Sequence, residues 1–210
     1  MNLFSRTVHL SGPVSAITAH ALSLREYVTK KTGNEVALWA VSFGAPLGTV
    51  VYTARVDGHA GLAAMTASLA GDADYEALLA KGADFVTGPA VDAMRESLDG
   101  SDLSQSPPVG SVAVITTAVI ANGKYVEAIG WGLDVAAHVT KTSGMPVGFY
   151  MDMYGAFGQV TWIGVGADFA AADASNAKLN ADTAYVNKLS TAGDLFVEGV
   201  SHRSMAVRIG

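Results

Sequence analysis

Two twelve-residue stretches, VTKKTGNEVALW at 28–39 and VTKTSGMPVGFY at 139–150, stand 111 positions apart in a chain of 210 residues. Self-similarity at a fixed separation means a duplicated structural unit, and that restricts the available folds more than composition does. The match extends both ways. At an offset of 111, Val8 meets Val119, Gly12 meets Gly123, Leu22 meets Leu133, Gly33 meets Gly144 and Gly44-Ala45 meets Gly155-Ala156. At an offset of 110, Gly48 meets Gly158, Val50 meets Val160, Asp72 meets Asp182 and Tyr75 meets Tyr185; the offset is 111 again at Gly82/Gly193 and Met94/Met205. These shifts fall near turns or helix ends, where insertions are tolerated.

Between the copies, SLDGSDLSQSPPVGS at 97–111 has the Ser, Asp, Gly and Pro content of a linker. The reading divides the chain into a first repeat over 1–98, a linker over 99–111 and a second repeat over 112–210.

Each repeat opens on a β-branched strand, at 3–10 and 112–121. Helical spacing follows: Val14, Ile17, Ala21, Leu24 and Val28, with Pro13 in the first helical position and Gly33 as the stop. The second copy repeats the stripe as Tyr125, Ala128, Gly132, Val135 and Val139, ending at Gly144. Hairpins come next, 36–43 with 49–57 and 147–154 with 160–167, joined by GAPLG and GAFG. Ala-rich helical sequence, interrupted by the capping residues Asp72 and Asp182, leads to closing strands near 92–98 and 203–209.

The order β-α-β-β-α-β, written twice, predicts an α+β protein of two tandem ferredoxin-like repeats. In the first hairpin both strand faces are apolar, Val36, Leu38 and Ala40 alternating with Ala37, Trp39 and Val41. Helices cover one sheet face only, so the other calls for a second sheet. Duplication and element order together resemble the dimeric α/β-barrel superfamily, which includes the antibiotic-biosynthesis monooxygenases, the NIPSNAP-like proteins and the haem-binding chlorite dismutase relatives. The resemblance implies that the two repeats pack sheet to sheet as a single-chain pseudo-dimeric barrel.

Half of the residues are hydrophobic and 15% are charged, so much of the chain is expected to be buried. A net charge of −6 without a basic run argues against nucleic acid as a partner. Cysteine is absent, which removes disulfides and thiolate chemistry. No stretch has the length and apolarity of a signal-peptide core or a membrane span, so a cytoplasmic protein with no membrane partner is the expectation.

No nucleophile elbow, zinc-binding HExxH, phosphate loop or EF-hand pattern is present. The five histidines have no metal-ligand spacing, and no metal site is expected. The informative contrast lies between the hairpins. If Val147, Phe149, Met151 and Met153 pack on the helices, then Tyr150, Asp152 and Tyr154 point into the barrel, across from Trp39 in the other repeat. Arg55 and Arg208 are candidate counter-charges, and His9 and His202 stand on strands that can face the interior. These eight residues suggest an aromatic-lined pocket for a small apolar or aromatic molecule. The superfamily resemblance implies, as an alternative, a cofactor-independent monooxygenase-type enzyme. Haem on His138 or His202 is a further alternative; otherwise no cofactor is expected. A structural role is the last, with sheet edges building a homo-oligomer.

Overall fold

The computed structural model describes residues 1–99 and 106–210. The first repeat runs β1 (Asn2–His9), α1 (Val14–Thr32), β2 (Val36–Phe43), β3 (Thr49–Val56), α2 (Gly58–Ala67), α3 (Ala73–Gly82) and β4 (Val91–Ser97). The second runs β5 (Val112–Val119), α4 (Tyr125–Ser143), β6 (Val147–Asp152), β7 (Gln159–Gly166), α5 (Phe169–Ala181), α6 (Thr183–Ser190) and β8 (His202–Arg208). Of the connection expected over 99–111, residues 100–105 lie outside the described residues. Asp72 caps α3 by accepting the Tyr75 N–H at 2.9 Å, and Asp182 caps α6 by accepting that of Ala184 at 2.9 Å. Gly33 and Gly144 end α1 and α4 in the left-handed conformation that favours glycine.

The eight strands close into one antiparallel barrel in the order β1-β3-β2-β8-β5-β7-β6-β4. The repeats join edge to edge at two seams. Trp39 of β2 stands opposite Arg208 of β8, and Arg95 of β4 opposite Asp152 of β6. The antiparallel order makes β1, β2, β5 and β6 run one way. Both hairpins therefore turn at one end of the barrel, and Ser106–Pro108 with the C-terminus lie at the other.

Outside the barrel, Ile17 and Ala21 of α1 pack on Leu38 and Val50, and Ala128 and Ala136 of α4 pack on Phe149 and Trp162. The second contact is the tighter. A Cβ added at Gly132 would come within 2.4 Å of the Phe149 ring, and the Trp162 indole donates to the Gly132 carbonyl at 3.0 Å. Inside, Ala37, Trp39, Ala113 and Ala206 form a separate apolar cluster with Val41, Ile115, Ile163 and Val165.

Several expectations need correction. Val8 pairs with Val50 and Ala118 with Val160, so the structural mate of Val8 is Ala118 at offset 110, not Val119. The extra residue sits in the turn before α4, where four residues replace the three before α1. Pro13 precedes α1 instead of occupying its first turn, while Val14 and Tyr125 are exposed. Strand β6 stops at Asp152, because the chain bends at Met153 and Gly155 takes a φ of +102°. Barrel closure also pairs every strand on both sides, so the free edges invoked for assembly are absent among the described residues.

Candidate ligand site inside the barrel

The barrel encloses a cavity of about 810 Å³, within the range of small-molecule pockets. Its lining divides into two walls, each built from one hairpin strand of one repeat and three strands of the other. Strands β2, β8, β5 and β7 contribute Ala37, Trp39, Val41, Ala206, Ala113, Ile115, Ile163 and Val165 with Thr117 and Ser204, which make a mainly apolar wall. The facing strands β6, β4, β1 and β3 contribute Tyr150, Arg95, Ser5, Thr7, Thr53 and Arg55 among the apolar Leu3, Val51, Ala54 and Val147, so both charged side chains lie on this wall. The pseudo-twofold relation maps one wall onto the other, so the duplicated halves have diverged in polarity across one shared cavity.

The polar wall is anchored by one buried network. The Asp152 side chain is 1% exposed and that of Arg95 15%. Asp152 Oδ1 accepts from Arg95 Nε at 3.1 Å and from the Thr161 hydroxyl at 2.7 Å, and its Oδ2 accepts from Gln159 Nε2 at 2.8 Å. Arg95 Nη1 donates to the Ser5 hydroxyl at 2.8 Å. Each carboxylate oxygen is thus satisfied, as a buried charge requires. The repeat mates of Asp152, Thr161, Arg95 and Ser5 are Val41, Val51, Ala206 and Ile115, all apolar.

Tyr150 faces the cavity beside this network, and Gly148 leaves room for its hydroxyl, which lies 2.4 Å from where a Gly148 Cβ would stand. Burial first, and then the charge of Asp99, push the Tyr150 phenol up to about 12 against the opposing pull of Arg55 and Arg95. It is a neutral group at physiological pH.

The candidate residues do not all converge. Trp39, Tyr150 and Arg55 line the cavity, and Asp152 stands directly behind Arg95. Tyr154 is outside the barrel, 63% exposed, with its hydroxyl 2.7 Å from His59 Nε2; the early end of β6 removes it from the interior face. Arg208 closes the end opposite the hairpins, donating to Glu35 at 2.9 Å, to the Pro107 carbonyl and to the Gly210 carbonyl at 3.0 Å. Burial alone would raise the Glu35 carboxyl, but hydrogen bonds from Arg208 and Ser106 hold it below the usual range. Ser106 also accepts from Arg55 at 2.5 Å, so the chain leading into β5 is tied across the barrel end. His9 donates from Nδ1 to Thr49, whose own proton is committed to the Pro46 carbonyl. His202 is exposed at the start of β8.

Of the two histidines named for haem, His138 has its Nε2 2.7 Å from Asp182 and its ring stacked on Tyr185 on the outer helical layer, and His202 is exposed; neither is among the residues that line the lumen. No cluster of three metal-ligating side chains is found among the described residues.

A second cavity, about 310 Å³, lies between the helices and the outer sheet face of the first repeat. It is lined by His20, Tyr52, Met65 and Tyr75, with the Arg6–Asp92 ion pair at 2.8 Å. In the second repeat the mates of His20, Leu38 and Tyr52 are Trp131, Phe149 and Trp162. Phe149 stacks on Trp162 at 4.7 Å and Trp131 packs edge-on at 6.1 Å. Those larger rings fill the space that stays open in the first repeat. Burial lowers the His20 pKa and raises that of Tyr52 to about 12, so both are neutral near pH 7.

The sequence matches no protein-family model and no curated protein. Solved structures do match. A proposed monooxygenase from Fusobacterium nucleatum subsp. nucleatum superposes with a TM-score of 0.66 at 13% identity, over 100% of this chain and 92% of its own. An anthrone oxidase-like protein gives 0.66 at 12% identity, with the same shares covered. A proposed chlorite dismutase gives 0.60 at 9% identity, over 100% and 96%. The chain has the dimeric α/β-barrel fold. At such identities the likeness extends to the fold and its duplication, and the site must be argued from its own residues. No helix among the described residues is long and apolar enough to cross a membrane.

Proposed function

We propose that this barrel protein binds one small, largely apolar or aromatic molecule in the space between its two half-barrels. The observation that carries the reading is the 810 Å³ lumen with one mainly apolar wall and a facing wall that carries Arg55, Arg95 and Tyr150. An apolar body gains from the first, and a few fixed polar groups orient it from the second. The probe is neutral 2-naphthol, titrated calorimetrically. The account predicts one molecule per chain, lost when Ala113→Trp and Ala206→Phe fill the apolar wall and kept when Leu62→Trp fills the smaller cavity. Absence of binding, or binding insensitive to the lumen-filling pair, overturns it.

A second reading is an oxidase or monooxygenase-type enzyme, as the names of two similar structures suggest, working without a cofactor as the superfamily resemblance implies. The cavity of the first repeat favours it, since apolar walls there meet Tyr52, Tyr75 and an ion pair. Oxygen uptake with anthrone as substrate tests it. One O2 consumed and one anthraquinone plus one water formed per anthrone, above the uncatalysed rate, supports this reading; a rate equal to the blank refutes it.

A further inference from the structure

Among the described residues that line the lumen, the only charged ones are two arginines, Arg55 and Arg95, and no carboxylate is exposed to it. A chain with a net charge of −6 has turned its acidic excess outward and two guanidinium groups inward. They share one row across the wall, because Leu3 of β1 stands opposite Arg55 on one side and opposite Arg95 on the other. Arg95 is the more closely defined of the two. Its Nε is held by Asp152 and Thr161 and its Nη1 by Ser5, whereas no described residue accepts from Nη2. Three of the five N–H donors of this fixed, permanently charged fork, both on Nη2 and one on Nη1, are left without a described acceptor.

The second half of the wall completes the picture. The Tyr150 hydroxyl lies within electrostatic reach of both arginines and stays protonated. Trp39 lines the lumen on the strand across from β6, its indole N–H tied to Thr53 at 3.1 Å, and Ile115, Ile163 and Val165 line the wall of β5 and β7. The charged donors gather on one side, and the other is mainly apolar. A neutral hydrocarbon would leave the donors unpaired, and a cation would meet like charge.

We propose that the ligand of this lumen is an anionic aromatic, a planar apolar ring system bearing a carboxylate or an equally acidic oxygen, with the anion held by Arg95. This rests on the barrel reading above and narrows it. Asp152, Thr161 and Ser5 are then positioning residues that fix the plane of the guanidinium. They also explain why a buried acid is retained in a half-barrel whose repeat mate needs none.

The test compares 2-naphthoate with 2-naphthamide, which match in size and differ in charge. Three proteins are titrated: the unsubstituted chain, Arg95→Lys, and a triple variant carrying each repeat mate, Arg95→Ala, Asp152→Val and Thr161→Val. A charge-assisted hydrogen bond predicts that the unsubstituted chain holds the carboxylate at least about tenfold tighter than the amide. The ratio falls at least threefold in Arg95→Lys, which keeps a cation for Asp152 but lacks the second nitrogen, and collapses toward one in the triple variant. An amide bound as tightly as the carboxylate, or a ratio that survives both variants, overturns the anionic ligand and leaves the barrel reading standing. If neither probe binds, the barrel reading itself fails and this inference with it.

Discussion

Replacing Asp152 by Val, the residue its repeat mate Val41 supplies, strips the buried network of its acceptor. Arg95 is then left 15% exposed with its charge uncompensated, a change that costs about 3–5 kcal/mol when one partner of a buried pair is removed. Adding Arg95→Ala removes the stranded charge. What persists is the Thr161 hydroxyl, fully buried and without its acceptor, at about 1–3 kcal/mol. Adding Thr161→Val removes that as well and reproduces the apolar wall of the other half, bringing stability within about 1 kcal/mol of the unsubstituted chain, since well-packed apolar residues often replace buried pairs without loss. The order of stabilities is therefore non-monotonic: the single variant is the weakest and the triple the strongest of the three. Urea unfolding followed by tryptophan fluorescence gives the midpoints and m-values. If each added substitution lowers stability further, the network contributes through packing, not through mutual compensation, and the reasoning is refuted.

Gly132→Ala should destabilise by about 1–3 kcal/mol although alanine favours helix, because its Cβ would be driven into the fully buried Phe149 ring; thermal melts with near-ultraviolet circular dichroism of the tryptophan cluster report it. Gly148→Ala should instead displace the Tyr150 hydroxyl into the lumen and weaken 2-naphthol binding with little change in melting temperature. The Glu35 pKa is lowered in the folded state, so its stabilising contribution is present above the unfolded value of about 4.3 and is lost as pH falls through the folded value. Glu35→Gln should flatten that part of the acid limb of stability against pH, by less than about 1 kcal/mol because the carboxylate is half exposed. Asp182→Ala removes the α6 cap and the His138 partner together, and urea unfolding should show a loss of about 1 kcal/mol.

The duplication, the element order and the inward faces of β2 and β6 are legible in the sequence because each is written in local spacing. The period-two alternation of Gly148, Tyr150 and Asp152 is such a signal, and it fails only at Tyr154, where a glycine turn ends the strand. Arg95, Ser5, Thr161 and Gln159 escape it. A signal does exist, since three of them have apolar repeat mates: Arg95/Ala206 and Thr161/Val51 follow from the offsets of the sequence, while Ser5/Ile115 needs the one-residue shift between β1 and β5, which only strand pairing fixes. The Val8/Val119 match hides the shift by placing identical residues at the wrong register. The helix–sheet cavity is invisible for a different reason. His20 and Tyr52 line it where the second repeat has the larger Trp131 and Trp162, and volume becomes a cavity only when the positions are known to share one space.

The claim that the lumen is a single ligand site with one polar wall is tested most directly by the crystal structure of the protein with 6-bromo-2-naphthoate, the bromine located by its anomalous scattering. The account predicts one bromine per chain inside the barrel, near Trp39 and Ile163, with the carboxylate at Arg95 Nη2. A bromine found only in the helix–sheet cavity beside Tyr52, or none inside the chain at all, would contradict it.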